Sequence, residues 1–348
     1  MNTSHKILFK SSEMMSEIPS ESVDLVVTSP PYPMIEMWDE LFTKQNADVA
    51  DALNSNNGNL AFKLMHKQLD PIWDELYRVL KSGGIACINI GDATRTLNKV
   101  FKLYSNHSRI LSYCLEIGFS NLPYIIWRKQ TNAPNKFMGS GMMPTGAYVT
   151  LEHEYILILR KDNKREFKTE YEKSNRRNSS FFWEERNTWF SDIWDVNGTS
   201  QNLLDKTSRN RSGAFPFEIS YRLINMFSVK GDTVLDPFLG IGTTTVASMA
   251  SGRNSIGYEI DERLSSSLSS ILTESLIEKL NHYIHERLSR HLLFIIERTK
   301  KAGEDAFRHI NKNYNFPVMT SQETNLLINY LDSLKKITDF EFEVLYFI

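Results

Sequence analysis

A chain of 348 residues, 41% hydrophobic and 24% charged, is long enough to bury a full α/β core and still carry further segments, since domains run to about 100–200 residues. No run of about 18 apolar residues occurs and the start MNTSHKILFK has no apolar signal core, so a soluble, cytoplasmic protein without a membrane span is expected. The two cysteines, Cys87 and Cys114, lie in apolar contexts without disulfide or metal-ligand spacing. A net charge of −2 gives no general attraction to nucleic acid, which leaves local clusters of positive charge to supply it.

In chain order, Ser22 to Thr28 is a β-branched run that stops at Ser29-Pro30-Pro31-Tyr32-Pro33, predicting a strand that enters a stiff loop. Apolar residues from Ala61 to Leu80 recur at helical spacing, with Gly83-Gly84 expected to break the helix before a strand at Ile85 to Ile90. Ser108 to Ile117 reads as a helix closed by Gly118, followed by strands at Tyr124 to Trp127 and Tyr155 to Leu159. Between those strands, Thr131 to Tyr148 has no period and is rich in Asn, Gly, Pro and Met, which suits a functional loop. Lys161 to about Ser212 also reads as polar and irregular. Regular pattern returns as a helix at Glu218 to Phe227, a strand at Thr233 to Leu235, a helix at Thr243 to Ser251 and a strand at Ser255 to Glu259. From about Glu262 onward the chain reads as several helices, broken near Pro317. Alternating strands and helices predict a parallel α/β sheet.

Two motifs carry chemistry. Asp236-Pro237-Phe238-Leu239-Gly240-Ile241-Gly242-Thr243-Thr244-Thr245 sits between a strand and a helix, where glycines let a ligand approach the backbone and the helix start favours negative charge. Glu259 ends the next strand, in the place of an acid that grips ribose hydroxyls. The turn lacks the third glycine of GxGxxG and contains no GxxxxGK[ST], so an adenosine without a pyrophosphate fits it better than a nicotinamide dinucleotide or a P-loop nucleotide. A bare GxG is equally compatible with an ordinary tight turn; the strand, helix, strand and acid around it point to a ligand. The second motif is Thr28-Ser29-Pro30-Pro31-Tyr32. Its prolines remove two amide donors and leave carbonyls and the Ser29 hydroxyl as acceptors beside an aromatic face, which can hold an exocyclic amino group. SPPY alone is commonly a linker, and its place after a buried strand is what gives it weight.

Together these residues resemble the amino-methylating DNA methyltransferases, whose (D/N/S)PP(Y/F) loop forms the catalytic site and whose FxGxG turn binds S-adenosyl-L-methionine. Here the counterparts are Ser29-Pro30-Pro31-Tyr32 and Phe238-Leu239-Gly240-Ile241-Gly242. The catalytic loop precedes the cofactor turn, which is similar to the β arrangement of that family, often part of a restriction-modification system. The resemblance implies a Rossmann-like methyltransferase fold, α/β in class, over 1–261, with target-recognition segments at about 131–148 and 161–211; the pattern of the remaining chain adds a helical extension over 262–348. It implies Ser29, Pro30, Pro31 and Tyr32 as catalytic, and Thr28, Phe215, Pro216, Asp236, Phe238, Gly240, Gly242, Thr243, Thr244 and Glu259 around the cofactor. Arg211-Ser212-Gly213 stands where family members often carry a histidine before the Ala214-Phe215-Pro216 element. Ser at the head of the loop is associated mostly with cytosine N4, and Asp with adenine N6. Cytosine C5 chemistry is disfavoured because neither cysteine follows a proline.

On this reading the target base is flipped out of double-stranded DNA, stacked on Tyr32, and held through its amino protons by Ser29 and the Pro30 carbonyl. Arg176, Arg177, Arg186, Arg209 and Arg211 are candidates for DNA contact, although acidic residues interleave with the basic and aromatic ones from Arg160 to Arg186, so a self-compensating solvated face competes with that reading. A cognate restriction endonuclease is an implied partner. His282, His285 and His291 read as surface and interface residues, with no metal site expected. Cytosine N4 is thus the favoured target and adenine N6 the first alternative, followed by methyl transfer to RNA or to a protein amide and by a non-catalytic DNA-binding module.

Overall fold

The computed structural model describes residues 1–129, 138–197 and 216–347. Phe215, Arg209 and Arg211 fall outside them. A ten-stranded sheet organises the chain: β1 (Asn2–Phe9), β2 (Val23–Thr28), β3 (Leu80–Ile90), β4 (Phe119–Arg128), β5 (His153–Lys161), β6 (Ile193–Asp195), β7 (Thr233–Asp236), β8 (Asn254–Glu259), β9 (Leu331–Thr338) and β10 (Glu341–Tyr346). Their spatial order is β6-β4-β5-β3-β2-β7-β8-β1-β10-β9. Strand β2 is buried at all six positions, as expected for a central strand covered on both faces, and this is why it reads as an unbroken apolar run. Leu25 and Val27 face one core with the helices Phe217–Phe227 and Thr243–Ser251, while Val26 faces the other with the helix Gly58–Val79.

The sheet is mixed where a parallel one was expected. β5 runs antiparallel to both β3 and β4. Among the described residues no helix crosses between β4 and β5, so the chain turns back along the sheet at that point. The helix over 58–79 gives way to extended backbone at Leu80, three residues before the glycines expected to break it. Gly83 serves a different purpose: its φ is +83°, and a Cβ there would lie 2.5 Å from the Arg165 backbone nitrogen.

The long helix Ser275–Ala302 fits the expected helical tail, but the chain beyond it does not. Residues 331–346 form the hairpin β9–β10, and β10 joins the sheet antiparallel to β1, with Asn2 opposite Leu345 and His5 opposite Phe342. β1 itself was absent from the sequence-based expectation because its inward positions begin with the polar Thr3 and His5. His5 is buried between the hydroxyls of Thr3 and Ser255, both 2.8 Å away, and burial lowers its imidazole to about 3, so it stays neutral.

Candidate active site

The strand order places the chemistry. From β2 the chain crosses to β3 on one side, and from β7 to β8 on the other, so the crevice beyond the carboxyl ends of β2 and β7 is a topological switch point, where open α/β sheets bind ligands. Thr28 and Asp236 end those two strands. The Thr28 hydroxyl donates to Asp236 Oδ1 at 2.6 Å, joining motifs 208 residues apart in sequence.

Asp236 is almost fully buried, and desolvation raises its carboxyl to about 6 against the opposing pull of hydrogen bonds from Thr28, Thr244 and the Phe238 amide. Pro237 after it is held by the Ser12 hydroxyl, which donates to its carbonyl at 2.9 Å. Gly240 has φ +56° with nothing within 4 Å of a Cβ built on it, and its amide donates to Glu259 Oε2 at 2.8 Å. Gly242 has φ +85° and caps the helix that begins with Thr243. Thr244 Oγ1 also lies 3.2 Å from the Val27 carbonyl, a second acceptor for its one proton, which keeps that helix against β2. Burial also raises the Glu259 carboxyl above its ordinary value, with the amides of Asp261 and Gly240 opposing. Phe238 lies against Trp73, ring centroids 6.1 Å apart. Pro216 caps the helix Phe217–Phe227 that leads back to the start of β7, so it lies toward the same edge of the sheet. An open backbone cradle at Gly240, a helix start and two carboxylates fit a ligand with an adenosine, a carboxylate and positive charge.

At the end of β2, Pro30 and Pro31 are buried and Ser29 and Tyr32 are half-buried. Ser29 Oγ and Tyr32 Oη lie 3.1 Å apart, and the phenol donates to Glu154 Oε2 at 2.9 Å. Asn89 Nδ2 donates to that same oxygen at 2.7 Å and to Tyr32 Oη at 2.8 Å. Lys129 pairs with the other Glu154 oxygen and lies 4.5 Å from the centroid of the Trp127 ring. Gly91 gives Tyr32 room, since a Cβ there would sit 2.9 Å from the Tyr32 ring. Burial first, then the Glu154 charge, push the Tyr32 phenol well above its ordinary value, so it remains a donor. Asn89, Glu154 and Lys129 were not among the residues expected from sequence. The available signal was a carboxylate at the head of the apolar run of β5.

The expected residues Thr28, Ser29, Pro30, Pro31, Tyr32, Asp236, Phe238, Gly240, Gly242, Thr243, Thr244 and Glu259 are thus brought to one edge. Two hairpins rise from it: Ala93–Leu97 with Val100–Tyr104 follows β3, and Met138–Gly139 with Ala147–Tyr148 lies between β4 and β5. Phe101 and Tyr148 stack across them at 4.3 Å. Arg176 and Arg177 are not brought to this edge. Their helix, Glu170–Asn178, is tied through Asn175 and Ser179 to Lys230, just ahead of β7, which is the opposite end of the strands. Arg176 packs over Phe167, and Arg186 over Phe190. His291 stacks on Phe182 at 3.8 Å with Glu184 at 2.7 Å, a packing role.

Residues 23–269 match the family model of N6_N4_Mtase, DNA methylase. The chain is 49% identical to the type II methyltransferase M.MthZI of Methanothermobacter thermautotrophicus over 99% of this chain and 96% of that protein. It is 52% identical to the type II methyltransferase M.MjaI of Methanocaldococcus jannaschii over 76% of this chain and 89% of the other. Among solved structures, the putative DNA modification methylase TTHA0409 of Thermus thermophilus, complexed with S-adenosyl-L-methionine, aligns with a TM-score of 0.59 at 29% identity, covering 76% of this chain and 92% of that one. PvuII DNA methyltransferase, described as cytosine-N4-specific, shares the fold with a TM-score of 0.55 at 17% identity, over 76% and 85% of the two chains. With the SPPY loop ahead of the glycine turn, both at one switch point, the chain belongs to the amino-methylating DNA methylases of the β arrangement, which use S-adenosyl-L-methionine.

Proposed function

We propose that this chain methylates the N4 amino group of cytosine at a specific double-stranded sequence. The observation that carries the reading is Ser29 at the head of the catalytic loop, a neutral hydroxyl where a carboxylate would suit adenine N6 in the family it belongs to. The cofactor supplies an electrophilic methyl group. Asp236, Gly240, Gly242, Thr243, Thr244 and Glu259 hold it, with Phe238 and Pro216 closing the pocket, and Phe215 assigned by the sequence element alone. The amino group of a flipped base donates to the Ser29 hydroxyl and the Pro30 carbonyl, which frees its lone pair, while Tyr32 offers a ring to the base.

The catalytic unit is assigned to 1–261 and the extension to 262–348. Target reading is assigned to 131–148 and 161–211, of which the hairpin at 138–148 stands at the catalytic edge and fits the reading best. A restriction endonuclease of the same specificity is the partner this function calls for, and an adjacent gene for one would support it. The deciding experiment is digestion of methylated duplex to nucleosides, with the product identified by mass. N4-methylcytosine is expected. N6-methyladenine in its place overturns the choice of base and keeps the reaction class.

A further inference from the structure

The hydrogen bonds around Glu154 have a direction. Two protons on Asn89 Nδ2 are taken by Glu154 Oε2 and Tyr32 Oη, and the phenol proton is taken by Glu154, so Tyr32 Oη is left as an acceptor toward Ser29. The Ser29 hydroxyl proton then points at Tyr32; Asn89 Nδ2 also lies 3.4 Å from Ser29 Oγ, a long third contact for its two protons, and a Ser29 lone pair is left for a ligand. An incoming amino group needs that polarity, because it can only be received by lone pairs. Without a charged acceptor behind it, the phenol could equally donate to Ser29 and turn the hydroxyl proton toward the substrate, where it would oppose the amino group. Lys129 sets a positive charge against the far oxygen of Glu154, and the carboxylate is nearly buried, so the direction is enforced in a low dielectric.

We propose that Glu154 is a positioning residue for methyl transfer, setting the orientation of the Ser29 hydroxyl through the Tyr32 phenol so that Ser29 accepts the target amino group. This rests on the reading of Ser29 as the amino acceptor and adds the group that polarises it. Glu154 does not touch substrate; it acts through two hydroxyls.

The test is a double-mutant cycle on the full chain with duplex substrate, measuring kcat, KM for DNA and the affinity for S-adenosyl-L-methionine. Glu154→Gln and Tyr32→Phe are each expected to lower kcat about tenfold or more, with cofactor affinity within about twofold of the parent. The double variant is expected to be no slower than the slower single, because both changes cut one chain of hydrogen bonds. Losses that multiply overturn the proposal, as does a parental kcat in either single variant. If Glu154→Gln does not fold, Tyr32→Phe decides alone, since it keeps the ring and the carboxylate. Absence of any methyl transfer by the parent chain would instead overturn the functional reading itself.

Discussion

Burial lifts the Asp236 carboxyl to about 6, and the sign of its pH dependence follows. Between the ordinary carboxylate value and about 6 the folded state holds a proton that the unfolded state has lost, so stability falls as pH rises through that window and the whole cost is present above it. A shift of this size is worth about 3 kcal/mol. Asp236→Asn, which can keep the Thr28 and Phe238 hydrogen bonds, is expected to melt higher than the parent at about pH 8 and to show little gain at about pH 4. The cofactor carries a sulfonium charge, so its affinity for the parent should rise with pH through about 6, and less steeply in the Asn variant, which keeps the raised Glu259 carboxyl. Titration calorimetry across about pH 5–8 checks the second expectation; a pH-independent affinity in the parent contradicts it.

At the level of elements, the helices Trp183–Trp189 and Ser275–Ala302 are locked by Arg287. Its guanidinium donates to both Glu185 oxygens at 2.6 and 2.7 Å and to the Tyr221 hydroxyl at 2.9 Å, and its carbon lies 5.9, 5.2 and 5.6 Å from the centroids of the Phe182, Trp189 and Tyr221 rings. Removing one partner of a buried pair strands the other, at about 3–5 kcal/mol. Arg287→Ala is therefore expected to lower the unfolding free energy by that amount in denaturant titration, and Arg287→Ala with Glu185→Ala to recover part of it. No recovery would mean the pair is not coupled. The short helices of this region show what single-sequence periodicity misses. Glu170–Asn178 has no buried residue and hence no apolar stripe, yet Thr169 and Glu172 form a capping box that the T-x-x-E spacing announces. The helix Thr243–Ser251 and strand β2 were legible because local pattern and burial agree in them. Glu154 was not, because its meaning depends on β5 running antiparallel beside β3, where Tyr155 pairs with Ile90 and brings Glu154 level with Gly91 and Tyr32. Local sequence holds no record of that pairing.

On the scale of the molecule, the hairpin β9–β10 covers a flank of the sheet that would otherwise be β1. Tyr346 Oη donates to the Met249 carbonyl at 2.8 Å and lies 2.9 Å from Thr3 Oγ1, closing the C-terminal region onto the N-terminal strand. A chain ending at residue 330 leaves the β1 backbone unpaired along an edge with Ile7 beside it, and such edges associate. Size-exclusion chromatography is expected to show higher oligomers for the truncated chain relative to the full one; an unchanged elution volume contradicts it. The motifs themselves were legible, since the SPPY loop and the glycine turn each follow a strand. Their meeting was not, because it is a property of strand order.

The Thr28–Asp236 bond also sets a clock. Asp236 is made 208 residues after Thr28. At about 5–20 residues per second, the SPPY loop leaves the ribosome about 10–40 s before the partner that fixes it exists. A nascent chain therefore cannot bring the SPPY loop and the glycine turn together until most of the sheet has been synthesised.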